Sequence, residues 1–161
     1  MCILSSLDVK TYFFNYEMTL DSPPHKVWPH MLDYTGWNPG HIGAQLERLA
    51  GTRNEEGEII LEYKKSGDGY APPIIIETVK MIPNEKIVWA LYDPHSGATN
   101  GIVFVDFSLQ EVNGKTKFTY HSYGWGAGSA IGEDMSAFRN SVMEAVGKQL
   151  PALKSYVEAA K

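Results

Sequence analysis

The chain has 161 residues, of which 43% are hydrophobic and 20% are charged, and its formal net charge is −5. This is the composition of one ordinary globular domain, and it excludes a disordered chain. Nucleic-acid binding is not expected, because the longest basic run is the pair Lys64-Lys65 and displacing phosphate counterions requires a cationic surface.

Cysteine chemistry and targeting signals are nearly absent from the sequence. Cys2 is the only cysteine, so neither an intrachain disulfide nor a CxxC metal or redox site can form. The five histidines show none of the spacings typical of a metal site. The N-terminus lacks a basic segment followed by an apolar run, and no apolar stretch is long enough for a membrane span. We therefore expect a cytoplasmic protein with no metal, no cofactor and no membrane insertion.

The first forty residues combine one strand with short helical segments. Apolar residues alternate with more polar ones at Tyr12, Phe14, Tyr16, Met18 and Leu20, which predicts a strand with one buried face. Ser22-Pro23-Pro24 ends this strand and predicts a helix start, with serine as the cap and proline in the first turn. Pro29 lies inside the helix and predicts a kink or two separate helices. Residues 36–40 form a turn or a second helical turn.

From residue 41 the pattern predicts a meander of six further strands. The predicted strands cover residues 41–50, 58–66, 73–82, 86–92, 101–112 and 115–124. Compact hairpin turns alternate with longer glycine-rich connections at 66–72, 93–100 and 124–130. Because successive turns of a meander lie at opposite ends of a sheet, the three long loops collect at one rim, where we expect the entrance to a site.

The last thirty residues predict one long amphipathic helix. Its apolar stripe consists of Ile131, Met135, Phe138, Val142, Val146, Leu150, Leu153 and Val157. Pro151 should kink or restart the helix, because proline removes a backbone hydrogen bond and clashes with the preceding turn. One helix facing a seven-stranded antiparallel sheet is a two-layer α+β arrangement.

This order of elements, β-α-α-β6-α, resembles that of the START-like or SRPBCC superfamily, whose fold is called the helix-grip fold. Residues 14–16, 21–28 and 33–39 resemble the start of its polyketide cyclase-like and Hsp90-activator-like branches. Residues 82–89 are similar to the turn between their fourth and fifth strands, and 150–157 to the end of their last helix. The resemblance implies that 1–161 is one domain, a curved antiparallel sheet around a long C-terminal helix with a cavity between them.

The resemblance leaves the activity open, because members include lipid carriers, hormone receptors, aromatase/cyclases, co-chaperone modules and condensing enzymes. We expect a small hydrophobic ligand, polyketide-, lipid- or aromatic-like, in the cavity. The protein would then be a cyclase/dehydratase-type enzyme using acid/base catalysis. The alternatives are a non-catalytic carrier of such a ligand and an Hsp90-activator-like co-chaperone module. The oligomeric state, a homodimer included, stays open.

Strand alternation predicts which side chains face the cavity. For the last three strands the inward sets are Ile87, Trp89 and Leu91; Val103, Val105, Phe107 and Leu109; and Thr116, Phe118, Tyr120 and Ser122. For the strand at 58–66, the inward set is Ile59, Leu61 and Tyr63, and the outward set is Glu58, Glu62 and Lys64. For the strand at 73–82, either Ile75, Glu77, Val79 and Met81 face the cavity, or Ile74, Ile76 and Lys80 do. We prefer the first option because it buries more apolar area.

An inward Glu77 would be a carboxyl group in apolar surroundings, and therefore a general acid or base with Tyr63 and Tyr120 as hydrogen-bond partners. The alternative is that Glu77 faces solvent or forms a structural pair with Arg139. Arg139 itself would either hold a carboxylate or enolate in the cavity or extend to solvent. The predicted catalytic residues are thus Glu77, Tyr63 and Arg139. The predicted ligand contacts are Tyr120, Trp89, Phe107, Met135, Phe138, Tyr70 and His95.

Overall fold

The computed structural model describes residues 9–92, 100–127 and 136–160, with the backbone alone at 9–13, 100–101, 125–127, 136–139 and 141–142. The elements in chain order are β1 (Val9–Leu20), α1 (Pro24–Leu32), α2 (Tyr34–Trp37), β2 (Gln45–Ala50), β3 (Ile59–Tyr63), β4 (Lys65–Ser66), β5 (Gly69–Tyr70), β6 (Ile74–Ile82), β7 (Lys86–Tyr92), β8 (Asn100–Val112), β9 (Lys115–Ala127) and α3 (Ser136–Ala159).

Seven of the strands form one antiparallel sheet in the order β1-β9-β8-β7-β6-β3-β2, and β4 and β5 form a separate two-stranded hairpin. The sheet is a meander whose first strand pairs with the last one. Two short helices follow β1, and the long helix follows β9. The predicted α+β class and the predicted element order are confirmed.

The tight turns between strands follow from their sequences. Asn113 and Gly114 connect β8 to β9, and both have a positive φ, 53° and 75°. A two-residue hairpin turn requires this left-handed conformation, which asparagine and glycine adopt at the lowest cost. Asn84, with φ 65°, has the same role between β6 and β7. The hairpins predicted at these two places are confirmed.

One face of the sheet, called the inner face here, packs against α1 and α3. Core residues on α3 are Val146, Leu150, Leu153 and Val157, which belong to the predicted apolar stripe. The sheet contributes Leu20, Ile87, Phe107, Leu109, Phe118 and Tyr120, and α1 contributes Val27, Trp28 and Met31. Each such side chain stabilises the fold by about 1.5–3 kcal/mol when fully buried. The opposite face of the sheet is called the outer face.

Neither internal proline divides its helix. Pro29 lies within α1 and Pro151 within α3, and each helix is continuous through it. Both prolines are exposed, so the backbone groups that lose a partner face water rather than the core. A division into two helices at either proline is therefore excluded, and the alternative of a kink stays a prediction. The predicted serine cap is wrong, because Pro23 occupies the cap position and the Ser22 carbonyl instead accepts a 2.6 Å hydrogen bond from Thr116 Oγ1.

Two predicted long loops contain strand. Residues 65–70 fold as the β4–β5 hairpin, and residues 124–127 extend β9, where they pair with β1 and β8. The remaining parts of the predicted rim, residues 93–99 and 128–130, lie outside the described residues. In addition, β2 begins at Gln45 rather than at residue 41, because a turn at 39–43 follows α2.

Candidate functional site

A cavity of about 200 Å³ lies between the inner face of the sheet, α2 and α3. Most of the described side chains around it are apolar or aromatic. They include Trp37, Ile76, Trp89, Leu91, Val103, Val105, Phe107, Tyr120 and Val146. For comparison, an apolar cavity of about 150 Å³ is large enough to bind benzene. The space is therefore large enough for a small ring compound.

The aromatic wall of this cavity is held by ring contacts within the sheet. Trp89 and Phe107 meet edge to face with ring centroids 5.5 Å apart, and Phe107 lies 5.1 Å from Tyr120. Such ring contacts contribute stability in addition to that from the burial of apolar area, and they favour fixed orientations of the rings. Trp89, Phe107 and Tyr120 therefore face the cavity, as the strand alternation of β7, β8 and β9 predicts.

A polar cluster, consisting of Tyr34, His41 and Glu62, adjoins this apolar wall. Glu62 lies on β3 and has no solvent exposure. Its carboxylate accepts a 2.5 Å hydrogen bond from His41 Nδ1 and a longer one, 3.4 Å, from the Tyr34 hydroxyl. Because a carboxylate only accepts, Nδ1 carries the imidazole hydrogen. Tyr34 and His41 both line the cavity.

The turn after α2 places His41 against β3. The backbone N–H groups of His41 and Ile42 donate to the Asn38 carbonyl at 2.8 Å and 3.0 Å, and the Asn38 side chain accepts from the Gly40 N–H at 3.1 Å. Asn38 is itself buried. The imidazole also meets the Tyr34 ring edge to face at 5.4 Å. Both backbone and side-chain contacts thus fix the ring beside Glu62.

The protonation of Tyr34 follows from its surroundings. Burial, reinforced by the negative charge of Glu62, raises the pKa of the Tyr34 hydroxyl well above its usual range. Tyr34 therefore remains a hydrogen-bond donor at neutral pH. No described residue hydrogen-bonds His41 Nε2, and this atom is not among the described buried polar atoms that lack a partner. The atom is therefore accessible and can accept a hydrogen bond from a ligand.

The structure reverses the predicted faces of β3. Glu58, Glu62 and Lys64 lie on the inner side, with Glu58 buried and Lys64 lining the cavity. Tyr63 lies on the outer side, where its hydroxyl donates to Glu47 at 3.0 Å. The prediction that Tyr63 faces the cavity is therefore wrong. The physical reason is that a polar cluster, rather than helix side chains, covers the inner side of this strand.

Glu77 also lies on the outer face, so its predicted inward orientation is wrong. Ile59 is its cross-strand partner on β3, and the Tyr92 hydroxyl approaches it at 3.5 Å. Ile76 and Thr78 are the buried residues of β6. Met81 nevertheless packs against the core as predicted, because a bulge between Thr78 and Lys80 changes the alternation.

The other predicted ligand contacts have different positions. Tyr70 is exposed on β5 and is not among the residues around the cavity. Phe138 and Arg139 lie in the first turn of α3, where the structure describes the backbone alone. His95 and Met135 lie outside the described residues. Their predicted roles stay predictions.

A second cavity, of about 270 Å³, lies on the other side of Tyr34. Tyr34, Ile76 and Trp89 line both cavities and form the wall between them. The second cavity is more polar, because Arg48 and Glu58 contribute to it. Glu58 accepts hydrogen bonds from Arg48 Nε at 3.1 Å and from the Asn54 N–H at 2.7 Å.

The described part of the chain shows neither a candidate metal site nor a candidate membrane-spanning helix. Residues 9–92, 100–127 and 136–160 contain no group of three or more histidine, cysteine or acidic side chains arranged for a metal ion. None of the helices within these ranges is both long enough and apolar enough to cross a membrane.

The fold and this interior together define a helix-grip protein with an internal cavity. No family model matches the sequence, and no curated protein matches it. Solved structures do match. Ara h 8.0201 is 14% identical over 93% of this chain and 99% of that chain, with a TM-score of 0.69. A putative uncharacterized protein from Rhizobium leguminosarum is 15% identical over 94% and 97%, with a TM-score of 0.68.

A third similar structure is the Zhui aromatase/cyclase from Streptomyces sp. R1128. It is 10% identical over 92% of each chain, with a TM-score of 0.64. At these identities the likeness concerns the fold. The chain has the helix-grip fold that its resemblance to the START-like or SRPBCC proteins predicted.

Proposed function

We propose that this protein binds a small, mainly apolar molecule in the cavity beside α3 and holds one polar group of that molecule at His41. The observation that carries the proposal is the combination of an aromatic wall with one polar cluster. Such a combination is typical of small-molecule sites, in which apolar walls supply affinity and a few polar groups fix orientation.

The walls and the polar cluster would recognise different parts of the ligand. Trp89, Phe107 and Tyr120 offer ring faces and edges to an aromatic or polyketide-like ring system. A hydroxyl group of the ligand would donate a hydrogen bond to His41 Nε2, because Nδ1 carries the imidazole hydrogen and Nε2 therefore accepts. A ligand without such a group would leave this nitrogen unpaired when it expels water, which costs about 1–3 kcal/mol.

The structural neighbours support this kind of ligand. One of them is named an aromatase/cyclase, which agrees with a ring-shaped substrate for the present chain. A non-catalytic carrier would use the same cavity. An Hsp90-activator-like co-chaperone would act through its surface and would not need an aromatic cavity with a polar end, so the cavity favours a ligand-binding function.

A pair of matched ligands tests the proposal. 2-Tetralol and tetralin share a bicyclic skeleton, and only the first carries a hydroxyl group. Isothermal titration calorimetry should detect saturable binding of both, with the alcohol tighter by about tenfold, or 1.4 kcal/mol. Equal affinities would contradict the role of His41 as a polar anchor.

A pair of variants on β8 tests the location of the site. Val103 lines the cavity, so Val103→Trp should fill it and abolish binding. Ile102 is the neighbouring residue on the outer face, and Ile102→Trp should bind 2-tetralol as the original protein does. Circular dichroism should confirm that both variants fold. Binding that survives in Val103→Trp would contradict the proposed location.

A further inference from the structure

We propose that His41 and Glu62 form a proton-transfer pair that acts on an enolisable ketone bound in the cavity, with His41 as the catalytic residue and Glu62 as its positioning residue. This inference rests on the proposed function, because the ketone must first bind beside α3. It goes further, because binding alone requires no base.

The burial of Glu62 is the first argument. A carboxylate without solvent contact loses its hydration, and this loss is compensated only by close hydrogen bonds. Both hydrogen-bond partners described for Glu62, His41 and Tyr34, are titratable side chains. A packed core would use an apolar residue at this position, as β3 does at Ile60. Compared with an apolar residue, the buried Glu62 lowers the free energy of unfolding. Its hydrogen bond to an imidazole is, however, suited to proton transfer.

The orientation of the imidazole is the second argument. The hydrogen bond from Nδ1 to Glu62 fixes the tautomer and leaves the Nε2 lone pair directed away from β3. The carboxylate also stabilises the imidazolium that forms when Nε2 takes up a proton. The same division of labour between a carboxylate and a histidine operates in hydrolase triads. Because His41 lines the cavity, a ketone bound there would lie against its side chain.

The charges around the pair define its electrostatics. Tyr34 from α2 donates to Glu62, while Lys64, the residue after β3, lines the same cavity. The ammonium group of Lys64 favours negative charge on a ligand oxygen. From α3, the described residues that line the cavity are Ala145, Val146 and Gln149, which are uncharged. The described surroundings therefore combine one base with one cation that favours an enolate.

The proposed step balances without any further reactant. Nε2 takes the proton from the carbon next to the ketone carbonyl, and the electron pair of that C–H bond forms the C=C bond of an enolate. The imidazolium then returns the proton to carbon, which gives exchange or isomerisation. If a hydroxyl group stands at the β carbon, the proton goes instead to that oxygen, the C–O bond breaks and water leaves. Nothing is oxidised or reduced.

Hydrogen–deuterium exchange of 2-tetralone in deuterated water, followed by proton NMR, measures this step directly. At saturating ketone, His41→Gln should lower the exchange rate by about a hundredfold or more, the scale of general base catalysis. His25→Gln, at an exposed histidine of α1, should exchange at the original rate. Equal rates in His41→Gln and the original protein, with the ketone bound in both, would overturn the inference.

Glu62→Gln separates a positioning role from a structural one. Exchange should slow by more than about tenfold, while the affinity for 2-tetralone stays within tenfold. A purely structural role of Glu62 would lower the affinity together with the rate. Glu111→Gln, at an exposed position of β8, should leave both the rate and the affinity unchanged.

The outcomes remain distinguishable even if a variant folds poorly. Glu62→Asp keeps a carboxyl group but shortens the side chain, so it should slow exchange less than Glu62→Gln does. An unchanged rate in Glu62→Gln, or a rate in Glu62→Asp no higher than that in Glu62→Gln, would overturn the role of Glu62. Failure of both 2-tetralol and tetralin to bind would instead refute the proposed function, whereas binding of 2-tetralone without exchange would refute only this inference.

Discussion

The rings of Tyr34 and Trp89 meet edge to face, with centroids 5.5 Å apart and planes at 60°, and these two rings lie between the cavity beside α3 and the second, more polar cavity. Tyr34 stands at the start of α2 and Trp89 in the middle of β7. The wall between the cavities is therefore a contact between a short helix and the sheet, and under the proposed function this contact limits the size of the ligand.

Removing the Tyr34 ring should join the two cavities. We expect Tyr34→Ala to gain affinity for a tricyclic ketone such as anthrone relative to 2-tetralone, by about tenfold or more. Titration calorimetry with both ketones gives the ratio. Tyr92→Ala removes the same ring from the outer face and should leave the ratio unchanged. A ratio that does not move in Tyr34→Ala would show that the wall does not limit ligand size.

Tyr34 should also make the protein sensitive to alkali. Its pKa is raised in the folded state by burial and by the charge of Glu62, whereas in the unfolded chain it is near 10. The contribution of Tyr34 to the free energy of unfolding therefore has its full value below about pH 10. It should fall by up to about 1.4 kcal/mol for each pH unit above that value, as the unfolded chain ionises.

Urea unfolding of the original protein and of Tyr34→Phe, from pH 7 to 11, measures this effect. The comparison cancels the other tyrosines with raised pKa values, Tyr63, Tyr92 and Tyr156, which both proteins retain. The two stability curves should run parallel below pH 10 and converge or cross above it. Curves that stay parallel at all pH values would contradict the assigned ionisation.

The pair of His41 and Glu62 should not be a source of stability. Replacing a buried polar pair with apolar residues of similar volume is often neutral or stabilising by about 1–4 kcal/mol. We expect His41→Leu/Glu62→Leu to be at least as stable as the original protein, while Glu62→Leu alone is less stable because it leaves Nδ1 unpaired. A double-mutant cycle by urea unfolding provides the coupling. A double variant less stable than either single variant would refute this account.

Glu77→Gln should have little effect on either stability or binding. Glu77 is on the outer face, and its described side-chain contact is the long 3.5 Å approach of the Tyr92 hydroxyl. The change in the free energy of unfolding should stay within about 0.5 kcal/mol, as at other surface positions, and the affinity for 2-tetralone should not change. A loss of binding would mean that the outer face communicates with the cavity.

The fold could be predicted from the sequence because its signals are local. Turn residues such as Asn113 and Gly114, together with alternation along each strand, define the hairpins without knowledge of distant contacts. Alternation also identifies the cavity-facing residues of β8, since Asp106, Ser108 and Gln110 mark its outer face. That rule assumes that the polar side of a strand faces away from the core, and on β8 the assumption holds.

The polar part of the site could not be predicted, because the same rule fails on β3. Glu58, Glu62 and Lys64 mark the inner face there, and the apolar residues Ile59 and Leu61 lie on the outer face beside Glu77 and Ile75. Nor does the sequence indicate His41 as a partner of Glu62. The two are 21 residues apart and meet only because the turn after α2 folds back onto the sheet.

The bulge in β6 affects the alignment of this sequence with those of other proteins. Thr78 pairs with Trp89 and Lys80 with Val88, so Val79 is one residue more than β7 requires, and its side chain is 41% exposed. A chain that lacks Val79 would keep every other side chain of β6 on its present face. Sequence alignments that place no gap here will therefore match inward residues of one protein with outward residues of another, from Lys80 to the end of the strand.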